Sequence, residues 1–238
     1  MKQLPKLCFA MLCMVVFALP QNACKDDKNN VPPDDGTWDI DKDGVPKFMS
    51  VNYLELAKIG RISKFRSSVG HDYSDAFEHC RSMKHYFEPK PTVDWGSIQI
   101  VSPANGTIAR VETEWAGIKL EIESEAYPAF RFMIFHINAA APFNVGDKVT
   151  TGQQLGTHIG NQTMSDIAII VNDPTRQGRM VSYFDAITDE VFTQYQNRGI
   201  ISRQDMIITK DLRDANPLTC NGDVFTTSDP LEQWVNLN

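Results

Sequence analysis

From Ser97 onward, short apolar runs alternate with clusters of Gly, Pro, Asn and Asp. Alternation at a period of two predicts half-buried strands. The pattern places them at Ser97–Val101, Gly106–Glu114, Ile118–Ser124, Phe130–Ile137, Lys148–Val149, Gln154–Ile159 and Asp166–Asn172. Short strands at such close intervals predict a mainly β barrel or sandwich. Before them the pattern is mixed, with short helices expected at Tyr53–Ile59 and at Ser74–Tyr86. After residue 176 the period lengthens. Phe184, Ile187, Val191, Phe192 and Tyr195 fall on one helical face, Gly199 follows as a stop, and Asp205 stands three residues after Ser202 as in a capping box. A C-terminal helical extension, 176–238, is therefore expected to pack against the β domain.

The N-terminus has a different composition. Lys2 and Lys6 precede an apolar run, Leu7 to Leu19, and Cys24 follows a short polar stretch. This layout predicts an export signal over 1–23 with lipidation at Cys24. The run is too short to span a bilayer in the ordinary way. Residues 24–50 are rich in Asp, Asn, Pro and Gly and read as an acidic tether. Within them Asp39, Asp41 and Asp43 alternate ahead of Gly44, as at the opening of a calcium loop, but the twelfth position is Ser50. Two readings stay open there: bound calcium, or a solvated acidic turn.

A formal net charge of -7 argues against a nucleic-acid partner. Export places the mature chain in an oxidising compartment, where Cys80 and Cys220 are candidates for a disulfide and buried free thiols are the alternative.

Val101-Ser-Pro-Ala-Asn-Gly-Thr-Ile-Ala109, followed by Val145-Gly-Asp-Lys-Val-Thr-Thr-Gly-Gln-Gln-Leu-Gly156, resembles the duplicated hybrid-motif barrel of lysostaphin-type (LytM-like) zinc endopeptidases. Gly106, Gly146 and Gly152 stand where chain reversals call for positive φ. Phe135-His136-Ile137 matches a strand-borne catalytic histidine, and His71 and Asp75 have the His-x-x-x-Asp spacing of the first two zinc ligands. The resemblance covers roughly residues 70–172, with a lead-in at 51–95 carrying His71 and Asp75 and the barrel at 96–175. It implies a third ligand from a His-x-His strand, yet Asp166-Ile167-Ala168 stands in that place. Asp166 takes the position of the neighbouring catalytic histidine, and Ala168 that of the ligand. A methyl group binds no metal.

The resemblance thus implies a degenerate site from which zinc has been lost. Rescue by Asp166 or His158 as a third ligand, or by a helical row of His71, Asp75 and His79, stays open. Two functions follow from it. One is a lipoprotein of the cell envelope, anchored to the outer membrane, whose domain binds a peptidoglycan peptide or an envelope protein without cutting it. The other is an active metalloendopeptidase cleaving cross-link peptides, with His136 stabilising the developing oxyanion.

Overall fold

Strand residues account for most of the regular structure in a computed structural model that describes residues 36–238. The expected signal, Cys24 and most of the tether lie outside the described residues. In chain order the elements are α1 (Ile40–Asp43), β1 (Ile59–Ser63), β2 (His85–Pro89), β3 (Gln99–Val101), β4 (Gly106–Thr113), β5 (Ile118–Ser124) and β6 (Phe130–Ala139). There follow β7 (Lys148–Val149), β8 (Gln154–His158), β9 (Ser165–Asn172), β10 (Gln177–Val181), α2 (Tyr183–Ala186), α3 (Asp189–Gln196) and α4 (Lys210–Ala215). The chain ends with the β11 (Cys220–Asn221) and β12 (Val224–Phe225) hairpin and β13 (Trp234–Asn236).

One antiparallel sheet runs β13-β1-β2-β9-β6-β5-β4-β7. The strand β9 meets β2 at its first half and β10 at its second, and β6 likewise shares one edge between β9 and β8. The lead-in and the C-terminal extension are therefore not appendages: β1, β2, β10 and β13 come from them and complete the sheet. Trp38, expected in the tether, is 2% exposed, and its ring meets Tyr127 and Phe130 edge-on.

The two early helices do not form as expected. Tyr53–Ile59 gives one 3-10 turn, Leu56–Lys58, before the chain enters β1, where Ile59 and Ile62 are fully buried. Between Ser74 and Tyr86 local carboxylates take the amides that a helix would need. Asp75 Oδ1 accepts from Phe77 N and Glu78 N, and Asp72 accepts from Cys80 N and Arg81 N. The predicted tail stripe is buried as expected, but it is split into α2 and α3 by Thr188, whose hydroxyl caps α3.

The sheet has two unlike faces. Phe130, Phe132 and Ile134 of β6, Ile167, Ile169 and Val171 of β9, and Phe87 of β2 enter the main core, which the N-terminal segment and α2–α3 cover. Met133, Phe135 and Ala168 point the other way, into a smaller cluster with Phe65, Met83 and Met180. On β6 the alternation breaks once. Ile118 pairs with Ile137 and Leu120 with Ile134, so Phe135 and His136 together oppose the single residue Lys119. His136 has φ 59°, a left-handed conformation uncommon outside glycine. This bulge returns Ile137 to the main core and leaves both Phe135 and His136 on the second face.

Gly146 and Gly152 do have positive φ, as their turns require. Gly106 does not: it lies in β4, where an added Cβ would stand 2.4 Å from Glu123 O, so it is needed for close approach and not for a turn.

Candidate functional site

The second face holds a buried group of charges. Lys84, the residue before β2, is 2% exposed, and its Nζ lies 3.6 Å from Oδ1 of Asp166 on β9. The registers His85↔Ile167 and Tyr86↔Asp166 bring it there. Aromatic faces complete the surroundings of the ammonium, with Phe135 at 3.5 Å and Tyr73 at 4.2 Å from Nζ to the ring centroid. Burial pushes the Lys84 ammonium down from the usual lysine range, while Asp166 and Glu114 oppose that shift. Burial pushes the Tyr73 phenol up, helped by Glu121, Asp166, Glu112 and Glu114.

Asp166 is 0% exposed, and neither of its oxygens has a hydrogen bond. Its neighbours are Lys84 and Nε2 of His136, 3.7 Å from Oδ2. The other side of the His136 ring is held by the β4–β5 hairpin. Nδ1 donates to Ala116 O at 3.1 Å and lies 3.2 Å from Glu114 Oε2, which also accepts from His136 N at 3.3 Å. Gly117, φ 76°, permits this approach, since an added Cβ would stand 2.5 Å from Ile137 O. Trp115, at the hairpin tip, is 74% exposed, with its ring 5.7 Å from that of His136. A surface cleft of about 480 Å³ lined by Pro128, Arg131 and Asn172 includes none of these side chains.

Of the positions that the resemblance assigns to the site, the structure brings the catalytic candidate His136 and the altered positions Asp166 and Ala168 to this face, while the two zinc-ligand candidates, His71 and Asp75, are engaged in turn hydrogen bonds. His71 Nδ1 donates to Asp72 O at 2.9 Å, and its ring meets Tyr73 edge-on. Asp75 spends both oxygens on backbone amides, those of Phe77 and Glu78 and, at 3.0 Å, that of Met180, which ties the turn to β10. The helical row fails because no helix forms, and His79 is exposed. His158 is buried, its Nδ1 accepts from Gly160 N, and burial together with His136 pushes it down to about 4.

Among the described residues no three His, Cys, Asp or Glu side chains converge so as to hold a metal ion. Zinc does not fit this face: a fixed ammonium already lies against the buried Asp166 carboxylate, Lys119 holds that of Glu121, and Ala168 offers no donor. Calcium does not fit either. Asp39 caps α1 by accepting from Asp41 N and Lys42 N, Asp41 pairs with Arg179 at 2.8 Å, and Asp43 ends the same short helix. The acidic run folds as a helical turn in which Asp39 is spent on capping and Asp41 on Arg179, not as an open ligand loop. The proposed disulfide is present: Cys80 and Cys220 are bonded, with Cα atoms 5.7 Å apart.

Sequence reasoning missed Lys84, Tyr73, Glu114 and Trp115. One signal was available. Lys84 stands between Met83 and His85-Tyr86-Phe87, a charge inside an otherwise core-like run.

No protein-family model matches the chain, and no curated protein matches it. Among solved structures it is similar to a zinc-containing peptidase from Vibrio cholerae, with 16% identity over 57% of this chain and 39% of that one, TM-score 0.36. It is similar also to lysostaphin, with 13% identity over 61% of this chain and 56% of that one, TM-score 0.33. A third similar structure is a chain of the SpoIIQ–SpoIIIAH pore-forming complex, with 11% identity over 66% and 98% of the two chains, TM-score 0.38. This chain spans less than two thirds of the length of the Vibrio cholerae peptidase and of lysostaphin. The described residues have the mainly β, antiparallel architecture expected from the strand pattern.

Proposed function

We propose that this chain is a non-catalytic binding module of the cell envelope, lipidated at Cys24, which engages a peptide strand or an envelope protein through the face around His136. The observation that carries this reading is the Lys84–Asp166 pair. The ammonium, 3.6 Å from the carboxylate and 2% exposed, supplies from the protein itself the positive charge that the resemblance assigns to zinc. A divalent ion beside a fixed ammonium in a low-dielectric site would be repelled strongly. Peptide hydrolysis also needs a group to activate water, and Asp166 is already engaged with Lys84 and His136. The net charge of -7 disfavours nucleic acid as the partner, and contact with the membrane is through the lipid alone.

The test is metal content and turnover on one sample. Mature protein purified without chelator and dialysed is expected to hold far less than one zinc per chain and to leave cell-wall peptides intact. Stoichiometric zinc with peptide cleavage that His136→Ala abolishes would restore the metallopeptidase reading.

A further inference from the structure

We propose that the shelf formed by Trp115 and Glu114 at the tip of the β4–β5 hairpin binds a primary ammonium carried by a peptide, such as a lysine-type side chain. This deepens the binding-module reading and rests on it. Four carboxylates surround Tyr73 closely enough to raise its phenol: Glu121, Asp166, Glu112 and Glu114. Three of them have a cation of the protein beside them. Lys119 bridges Glu112 and Glu121, and Lys84 faces Asp166. Glu114 alone has no lysine or arginine partner among the described residues, and its contacts are with the ring and the amide of His136.

One further observation points outward to a ligand. Beside Glu114, the indole of Trp115 stands 74% exposed, braced by His136 beneath it. An ammonium seated on the indole face and paired with Glu114 would meet both an aromatic quadrupole and a carboxylate that has no lysine or arginine within ion-pair distance among the described residues. An acidic ligand would be repelled by the carboxylate, and a neutral one would gain no ion pair there. Gly117 and the Nδ1 bond to Ala116 O hold the hairpin against the bulge, so the two groups are fixed before binding.

The experiment uses the mature full chain labelled with 15N, and the end-blocked tripeptide Ala-Lys-Ala together with its Nε-acetylated form. The lysine peptide is expected to shift the Trp115 indole N–H resonance saturably, and the acetylated peptide to bind at least roughly tenfold more weakly. Trp115→Ala and Glu114→Gln should each weaken binding by a similar factor, and added salt should weaken it further. Glu114→Gln keeps an acceptor for His136 N, and Trp115→Ala alters an exposed side chain, so both variants retain the fold for the comparison. Equal binding of the two peptides, or no Trp115 shift at saturating peptide, overturns the proposal. Mass analysis of the same samples separates the two readings: cleavage of the peptide would sink the binding-module reading, whereas an absent or charge-blind shift sinks the ammonium site.

Discussion

Lys84 is a lysine in a place where lysines seldom occur, with the whole side chain buried between Tyr73, Phe135 and Asp166. Its stability logic is that of a buried ion pair: the pair as a unit contributes little, but removing one partner strands the other. Lys84→Met should therefore destabilise the protein by about 3–5 kcal/mol in urea unfolding. The double variant Lys84→Met/Asp166→Asn should recover much of that loss, because no buried carboxylate is left unpaired. If the double variant is no more stable than Lys84→Met, a stranded Asp166 carboxylate is not the source of the loss. Neither Lys84 nor its role was legible in the sequence, because a charge in an apolar run acquires meaning only when a strand distant in sequence supplies its partner.

At the scale of elements, His85 joins three of them. It sits in β2, its Nδ1 donates to Ser63 O of β1 at 2.8 Å, and Nε2 lies 2.8 Å from the hydroxyl of Ser182, which caps α2. The neutral ring accepts at Nε2 from that hydroxyl. Burial pushes this histidine down to about 4. Since its folded value lies below the unfolded one, its contribution is complete above about pH 6.5 and is lost as pH falls toward 4, where the unfolded chain takes up the proton first. The shift corresponds to about 3 kcal/mol over that window. Chemical denaturation at a series of pH values should show the decline. His85→Gln should flatten it by about one proton, leaving the part due to His158, also pushed down to about 4. An unchanged slope in the variant would remove His85 as its source. The bulge in β6 is the other decisive feature at this scale. Strand existence followed from alternation, with Ile118–Ser124 and Lys148–Val149 appearing at their expected bounds. The single extra residue that turns His136 onto the second face is set by pairing with β5 and by the fit of Gly117 against Ile137.

For the molecule as a whole, the disulfide and the late strands bind the two ends of the described chain together. Cys80–Cys220 closes a span of 140 residues between the turn that follows Asp75 and the β11–β12 hairpin. Nearby, Arg213, 0% exposed, donates to Arg66 O and pairs with Asp229 at 2.6 Å, fixing the tail to the segment that follows β1. Cross-linking so long a loop restricts the unfolded chain, so Cys80→Ser/Cys220→Ser, or reduction of the wild type, should lower stability by roughly 2–5 kcal/mol. The check is the urea midpoint with and without reductant. A midpoint that reductant leaves unchanged, once thiol titration has confirmed that the bond is broken, would show that the tail packing alone holds these segments.

The sequence by itself determined the mainly β architecture, the positions of most strands, and the burial of the tail stripe from Phe184 to Tyr195. Each of these depends on local period or on residues close together in the chain. The tertiary structure alone decided that Asp75 is a turn-forming carboxylate and that Lys84 is the cation beside Asp166. It also decided that the lead-in and tail supply strands, and that Glu114 and Trp115 frame His136. Those outcomes depend on which strands pair and in what register. A register joins residues far apart in sequence, and a shift of one position would turn every side chain to the opposite face.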